Sequence, residues 1–405
     1  MHHYRRSVLL AGGAAVLGLI AACGAPDSGG GGSSTGEVPS KPSAAVKLNI
    51  LDVAGDLQLT QGMIDAFVEE NPDIVSSVTY SEAPSPDLAG KIKAQQDADR
   101  VDIDVVLTGN DGLSAGISQG LWIKLLPTFE DRLTNMDNYL APAAEMQGLA
   151  EGYGVTVTYY PSGPLLEYLP GTVADPPTSA EELLAYAKAN PGKVQYARPA
   201  SSGPGRTLLM GLPYLLGDSD PKDPIKGWDK TWAYLEELNK YIDVYPSSTT
   251  DTMKNLANGS VDIVATTTGW DINPRVLATV PKEAEVSSME GFHWVTDAHY
   301  AVVPKGVSVD KQAAIMLLLQ YMLTPEQQAK AYDSGYFYPG PAIEGVELSQ
   351  APTESQDAIE EFGRPEYDQL IADNPTETPL DAESLVAAFD KWDRDIGGGK
   401  VQEAE

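Results

Sequence analysis

The stretch Asp102-Ile103-Asp104-Val105-Val106-Leu107 runs directly into Thr108-Gly109-Asn110-Asp111. A short apolar run that ends in glycine and polar residues is typical of a buried strand. When such strands lie side by side in a parallel sheet, ligands bind beyond their carboxyl ends. We therefore expect Asn110 and Asp111 to lie at the ligand-binding edge of a sheet.

The chain before this strand alternates between strand and helix patterns. Two strands and two helices are predicted, in the order strand, helix, strand, helix: Val46 to Leu51, Leu59 to Glu70, Ile74 to Tyr80 and Asp87 to Ala98. This alternation predicts an α/β fold in which helices cover both faces of a parallel sheet. The loop after the first strand shares the ligand-binding edge, and it adds Asp56 to the candidate contacts.

The N-terminus has the pattern of a secretory signal peptide. Arg5 and Arg6 precede an apolar run, Val8 to Ala22, which is shorter than the roughly 20 residues that span a bilayer. The run ends in Ile20-Ala21-Ala22-Cys23, which resembles a bacterial lipobox. That resemblance implies that residues 1–22 are removed, that Cys23 is lipidated with palmitate among its acyl chains, and that residues 23–45, rich in Gly, Ser and Pro, form a flexible tether.

Composition limits the kinds of partner. Removal of the signal peptide leaves about 380 residues, which is too long for one core and fits two domains or a bilobal unit. Asp and Glu outnumber Lys and Arg by 58 to 27, and a formal charge of -31 disfavours nucleic acid. The same charge would draw in a cationic ligand, or it is simply a solvated acidic surface. With four His and one Cys, and no metal-binding spacing, we expect no metal and no cofactor.

Several features of the sequence, taken together, resemble those of the solute-binding proteins of ABC importers. They are the order of strands and helices up to residue 107, Gly120-Leu121-Trp122, the helix start Pro177-Thr178-Ser179-Ala180-Glu181-Glu182, and Leu323-Thr324-Pro325-Glu326-Gln327-Gln328-Ala329. The helix start is most similar to the thiamine-, iron- and polyamine-binding subgroup. The resemblance implies a bilobal periplasmic-binding-protein-like (type 2) fold, with two parallel-sheet lobes joined by crossing strands.

The resemblance also implies a division of the chain. Gly152 to Tyr160 would be the first crossing strand, and Phe292 to Pro304 the second. The expected units are lobe 1 (46–152), lobe 2 (153–298), a return to lobe 1 (299–345), C-terminal helices (346–396) and a tail (397–405).

Further candidate contacts lie in the second half of the chain. They are Tyr160, Ser201, Ser202, Arg206, Trp270 and Asp271. Ser201 and Ser202 precede an apolar helix, whose free amides would suit an anion or a plain cap. Arg206 would pair with a ligand carboxylate or lie on the surface. Trp270 would stack on the ligand or lie in the core.

Two other aromatic features leave their roles open. His293 and His299 lie on one strand, where they would form a metal pair or lie in the core as ordinary imidazoles. The loop Tyr336-Phe337-Tyr338 would close over the cleft or anchor the hinge.

The predicted function is that of a lipid-anchored solute-binding protein on the extracytoplasmic face of the cell membrane. It would act as a monomer, capture a small polar solute between its lobes and deliver it to ABC permease subunits. Carboxylates with aromatic rings favour a polyamine- or thiamine-like cation, the Ser-Gly loop with Arg206 favours an anion, and rings alone suit a sugar. The alternatives are a secreted enzyme with a glycosidase-like carboxylate pair and a surface interaction protein.

Overall fold

The computed structural model describes residues 36–402. The expected signal peptide, Cys23 and the first part of the tether lie outside the described residues. The strands of the described part are β1 Val46–Asp52, β2 Val75–Glu82, β3 Val105–Thr108, β4 Gly154–Gly163, β5 Leu165–Tyr168, β6 Val194–Gln195, β7 Tyr245–Pro246, β8 Ile263–Thr266, β9 Glu285–Ser287, β10 Trp294–Val302, β11 Thr376–Glu377 and β12 Val401–Gln402.

The helices of the same part cover both sheets. They are α1 Leu57–Glu70, α2 Leu88–Asp97, α3 Asn110–Ser118, α4 Ala141–Leu149, α5 Ala180–Ala189, α6 Gly203–Leu216, α7 Asp229–Leu238, α8 Thr249–Ala257, α9 Thr268–Val276, α10 Val309–Met322, α11 Pro325–Gln328, α12 Thr353–Phe362, α13 Glu366–Asp373 and α14 Ala382–Trp392. Between residues 36 and 402, none of them combines the length and the apolarity that crossing a membrane requires.

The first sheet has the strand order β11-β10-β3-β1-β2, with β4 paired to β10. β1 runs parallel to β2 and β3, as the alternating pattern predicted. β3 begins at Val105 rather than at Asp102, because the Asp104 carboxylate accepts hydrogen bonds from the Asn49 amide (2.8 Å) and from Lys311 Nζ (2.7 Å). We call this sheet and the helices packed on it the first lobe.

The second sheet has the order β6-β8-β5-β9. β6 and β8 are parallel, while β5 runs antiparallel to both of its neighbours. We call this sheet and its helices the second lobe. The α/β class is confirmed, but both sheets are mixed rather than purely parallel, because β5 and β10 return against the direction of the strands beside them.

Two crossing strands join the lobes, as expected. β4 pairs antiparallel with β10, and every residue of both strands is buried. β4 continues through Pro164 into β5, which belongs to the second sheet. The pairing places Tyr160 opposite Asp297, so both crossing strands contribute to the point where the lobes meet.

The range in which the sequence predicted C-terminal helices, 346–396, contains α12, α13 and α14. α12 and α13 are separated by Gly363, Arg364 and Pro365, since proline removes a backbone donor and restrains the residue before it. α14 buries Leu385 and Trp392 in the core of the second lobe. α14 therefore packs within the second lobe.

Residues 36–45 contact the first lobe. Arg132 donates hydrogen bonds to the carbonyls of Val38 and Pro39, at 2.7 Å each. The Ser43 hydroxyl donates to Asp310 at 2.6 Å. This part of the expected tether is thus bound to the folded body, and it does not serve as a free spacer.

Candidate ligand-binding site

A cavity of about 250 Å³ lies where the two lobes and the crossing strands meet. Both lobes, the crossing strands and the aromatic loop contribute to its wall. The lining residues are Val53, Ala54, Gly55, Ser85, Gly109, Asp111, Tyr160, Ser201, Ser202, Gly203, Arg206, Ser248, Thr249, Thr250, Trp270, Asp297, His299, Tyr336 and Phe337.

Arg206 connects three parts of the cavity wall. From α6 of the second lobe, its guanidinium lies 2.7 Å from Asp297 on β10 and 3.3 Å from Asp111 on α3 of the first lobe. Burial works to lower the pKa of Arg206, but the two carboxylates outweigh it and raise the pKa. The guanidinium is therefore a fixed cation already matched by two anions, and a ligand anion would have to compete with them.

Asp297 is held on its other side by the first lobe. The Asn110 side-chain amide donates to its second oxygen at 2.6 Å, and the Tyr300 hydroxyl donates to Asn110 at 3.0 Å. Both carboxylate oxygens of Asp297 are thus held by neighbouring side chains. Such preorganisation lowers the entropic cost of binding.

His299, which lines the cavity, forms a buried pair with Asp56, which lies behind it. The distance from His299 Nδ1 to the Asp56 carboxylate is 2.9 Å. Burial alone would lower the pKa of His299, but the charge of Asp56 and the hydrogen bond between them raise it. Burial raises the pKa of Asp56. The pair therefore retains a proton more strongly than either side chain would in water.

Aromatic rings form one side of the cavity. The Phe337 ring lies between those of Tyr160 and His299, with centroid distances of 3.6 Å and 4.1 Å. The Tyr336 ring meets Trp270 edge-on at 5.6 Å, and its hydroxyl lies 3.4 Å from the Ala54 carbonyl of the first lobe. The aromatic loop thus contacts both lobes and the crossing strands.

Helix starts of the second lobe supply hydroxyl groups to the cavity. Ser202 caps α6 by accepting from the Gly205 amide at 3.1 Å, and its hydroxyl lies 2.8 Å from that of Thr249. The Ser201 hydroxyl donates to the Ser247 carbonyl at 2.7 Å. The sequence pattern predicted that free amides at this helix start would suit an anion. The Gly205 amide instead donates to the Ser202 hydroxyl, so this loop offers a ligand mainly hydroxyl groups.

Six of the nine predicted contact residues line the cavity: Asp111, Tyr160, Ser201, Ser202, Arg206 and Trp270. Asp56 and Asn110 lie one layer behind it, where they position His299 and Asp297. Arg206 is neither a surface residue nor an unpaired anion receptor, because two carboxylates already surround it.

Asp271 does not line the cavity. Its carboxylate is fully buried and accepts hydrogen bonds from Arg275 (3.0 Å), Arg364 (2.7 Å) and the Tyr367 hydroxyl (2.6 Å). Adjacent residues of a helix point about 100° apart, so Asp271 faces the C-terminal helices while Trp270 faces the cleft. This carboxylate is a structural group and we do not place it among the ligand contacts.

Thirteen of the nineteen lining residues were not among the predicted contacts, and the charged and aromatic ones of these are Asp297, His299, Tyr336 and Phe337. The sequence showed a buried crossing strand and an aromatic loop, but it gave no sign of which side chains faced the cleft. His293 lies apart from His299, with its Nδ1 3.1 Å from Glu377. Within residues 36–402 no group of acidic, His or Cys side chains is arranged to hold a metal ion.

The fold is shared with solved structures, of which three are described here by their similarity to this chain. An ABC transporter from Clostridium perfringens has 15% identity and a TM-score of 0.62, covering 85% of this chain and 97% of its own. A spermidine/putrescine ABC transporter substrate-binding protein from Streptococcus pneumoniae has 15% identity and a TM-score of 0.56, with coverage of 86% and 99%. A periplasmic thiamin-binding protein has 18% identity and a TM-score of 0.59, with coverage of 89% and 100%.

These low identities establish a shared fold, and they leave the ligand open. No curated protein sequence matches the chain. A family model described as bacterial extracellular solute-binding protein matches residues 62–360, nearly three quarters of the chain. The matched range contains both crossing strands and all of the cavity lining except Val53, Ala54 and Gly55. The chain belongs to the family of bacterial extracellular solute-binding proteins.

Proposed function

We propose that this protein is the solute-binding component of an ABC importer and that the cavity between its lobes holds the solute. Support comes from the family and from the position of the cavity at the crossing strands, where a hinge motion would open and close it. The proteins that share its fold are described as an ABC transporter, a spermidine/putrescine ABC transporter substrate-binding protein and a periplasmic thiamin-binding protein. The proposal includes delivery of the solute to permease subunits by a monomeric protein.

The solute we favour is a small organic cation. Arg206 offsets one of the two carboxylates that flank it, and a further buried carboxylate, Asp52, lies behind the nearby loop. Trp270 and Tyr336 present aromatic surface beside these charges, and a cation is attracted to both kinds of group. This excess of negative charge beside aromatic rings is the observation that carries the proposal. A sugar or an anion is less well matched to it.

Each lining group would then have a definite role. Asp111 and Asp297 would balance the ligand charge, and Trp270 would stack on it. The Ser201 and Ser202 hydroxyls would accept hydrogen bonds from its donors. Tyr160 would support these contacts from the crossing strand.

The membrane attachment rests on the sequence of the N-terminus. A lipidated Cys23 would keep the protein at the extracytoplasmic face of the cell membrane, close to the permease. The lipobox-like sequence and the apolar run before it support this location.

The enzyme alternative has little support. Its strongest form needs two free carboxylates facing a substrate, whereas Asp111 and Asp297 are both engaged by Arg206. The family description is that of a binding protein. The alternative of a surface interaction protein does not explain why the cavity between the lobes is lined by charged side chains.

A thermal-shift panel with the purified protein tests the proposal. The compounds are putrescine, spermidine, thiamine, neutral sugars and carboxylic acids. A ligand at 100 times its dissociation constant stabilises the folded state by about 2.7 kcal/mol, which is readily measured. We expect hits among the cations. Asp111→Asn should reduce the affinity for these cations about tenfold. Asp102→Asn should leave the affinity unchanged, because Asp102 is an exposed carboxylate outside the cavity. Hits confined to sugars or acids, or a panel without any hit, would refute the cation assignment.

A further inference from the structure

The cleft does not end at Trp270. A second chamber of about 210 Å³ lies between α8 and α9, and it shares Thr250, Trp270 and Tyr336 with the first cavity. These three side chains line both spaces. A ligand that reaches past the Trp270 ring would therefore enter the second chamber.

The two chambers differ in chemistry. The first contains the charges of Asp111, Arg206 and Asp297. The described side chains around the second carry no formal charge, and they combine the apolar groups of Met253 and Leu277 with amide and hydroxyl groups. Such a mixed but neutral lining suits an uncharged group that has both a hydrophobic face and hydrogen-bonding edges.

Trp270 forms the boundary in a fixed orientation. Its ring packs against a hydrophobic cluster that includes Met253, and Tyr336 meets it edge-on. An aromatic wall of this kind lets a flat group stack at low entropic cost.

Leu277 marks the outer rim of the second chamber. Its side chain is 61% exposed, and it is one of two large hydrophobic residues in the described chain with such exposure, the other being Ile225 at 53%. Ile225 lies in the loop before α7 and lines neither chamber. An occupant of the chamber would cover Leu277 and remove apolar surface from water.

We propose that the solute has two parts, with a charged head in the first chamber and an uncharged, flat heteroaromatic or amide-bearing group in the second. This inference rests on the proposed function, because it extends the same binding site. It makes Leu277 a specificity-determining residue, while the buried Met253 reports on the chamber from behind its wall. It also predicts that a compact cation fills only part of the site.

Methyl NMR of the intact protein, labelled at the methionine methyl groups, tests the second chamber directly. The Met253 signal is assigned from Met253→Leu, a substitution that conserves volume. The probe is nicotinamide, a flat uncharged ring with an amide, titrated to about 10 mM because single-ring fragments bind in the millimolar range. We expect a saturable shift of the Met253 signal, and we expect it to persist when putrescine is present.

Two matched variants locate the effect. Leu277→Glu places a charge at the rim and should weaken the nicotinamide response at least tenfold, while Ile225→Glu should leave it unchanged. Both side chains are exposed, so neither change threatens folding. A Met253 signal that does not respond, or one that responds equally in Leu277→Glu, would overturn the inference.

The outcomes also separate this inference from the proposed function. A cation hit in the thermal-shift panel with a silent Met253 signal would retain the solute-binding role and reject the second chamber. A responding Met253 signal that putrescine abolishes would show that both probes compete for one space, and it would reject the two-part solute. A responding signal with no hit in the panel would retain the second chamber and reject the charged head.

Discussion

Replacement of Asp271 by Asn should destabilise the protein without affecting ligand binding. The carboxylate lies fully buried between two guanidinium groups, those of Arg275 and Arg364, and also accepts from the Tyr367 hydroxyl. Asparagine keeps the shape of the side chain but removes the negative charge and turns one acceptor into a donor. The guanidinium groups of Arg275 and Arg364 would then lose the carboxylate that both of them contact.

The magnitude follows from the environment of these groups. Removing one partner of a buried ion pair costs about 3–5 kcal/mol, because the remaining charge is left without compensation. With an unfolding entropy of about 2.1 cal/mol/K per residue, the roughly 370 described residues give about 0.8 kcal/mol/K. The expected fall in melting temperature is therefore about 4–6 °C.

Differential scanning calorimetry measures this fall, with Asp368→Asn as the control. Asp368 is an exposed carboxylate on the same helix as Tyr367, and its replacement should change the melting temperature by less than about 1 °C. If Asp271→Asn behaved like the control, the argument from buried charge would be refuted. If it left stability intact but weakened ligand binding, Asp271 would be a cleft residue after all.

The remaining predictions concern the cleft, the anchor and pH. Trp270→Ala should reduce the affinity for a cation about 3- to 30-fold, measured by calorimetric titration, and should lower the melting temperature only slightly. A large loss of stability with unchanged affinity would show that Trp270 belongs to the core. Cys23→Ala should release the protein from membranes, and continued retention after fractionation would refute the lipid anchor. Because the pKa of His299 is raised above 6.5, its contribution to stability is complete below that pH and is lost as pH rises through the raised pKa. His299→Gln should flatten this decline in melting temperature, and an unchanged slope would assign the pH dependence to other groups.

Much of the fold follows from local patterns in the sequence. Leu59, Met63 and Phe67 repeat at helical spacing and form the buried face of α1. The apolar run that ends at Leu107 forms the central parallel strand, with the cavity at its carboxyl end, where Asp111 lies. In these segments, hydrophobic periodicity and the placement of polar residues after strands are enough to predict the secondary structure and the edge of the sheet where the cavity lies.

The site was less predictable because its partners are distant in sequence. Arg206 meets Asp297 across 91 positions, and nothing local to either residue reveals the other. Every residue of β10 is buried, so the alternation that distinguishes two faces of a strand is missing, and His299 looked no different from its neighbours. Asp271 was predicted to contact the ligand because it is a polar residue next to Trp270 in the sequence. The two side chains face different parts of the protein, so proximity in sequence was misleading here.

The burial of the Arg206 ion pairs has a consequence for the medium in which the protein works. Salt screens charges at the surface over about 10 Å at 0.1 M, but it acts weakly on pairs enclosed by protein. The overall charge of -31 should therefore speed the arrival of a cation only in dilute media, whereas the enclosed contacts that hold it should keep the same strength. Rising ionic strength would slow capture and leave the residence time of the solute unchanged.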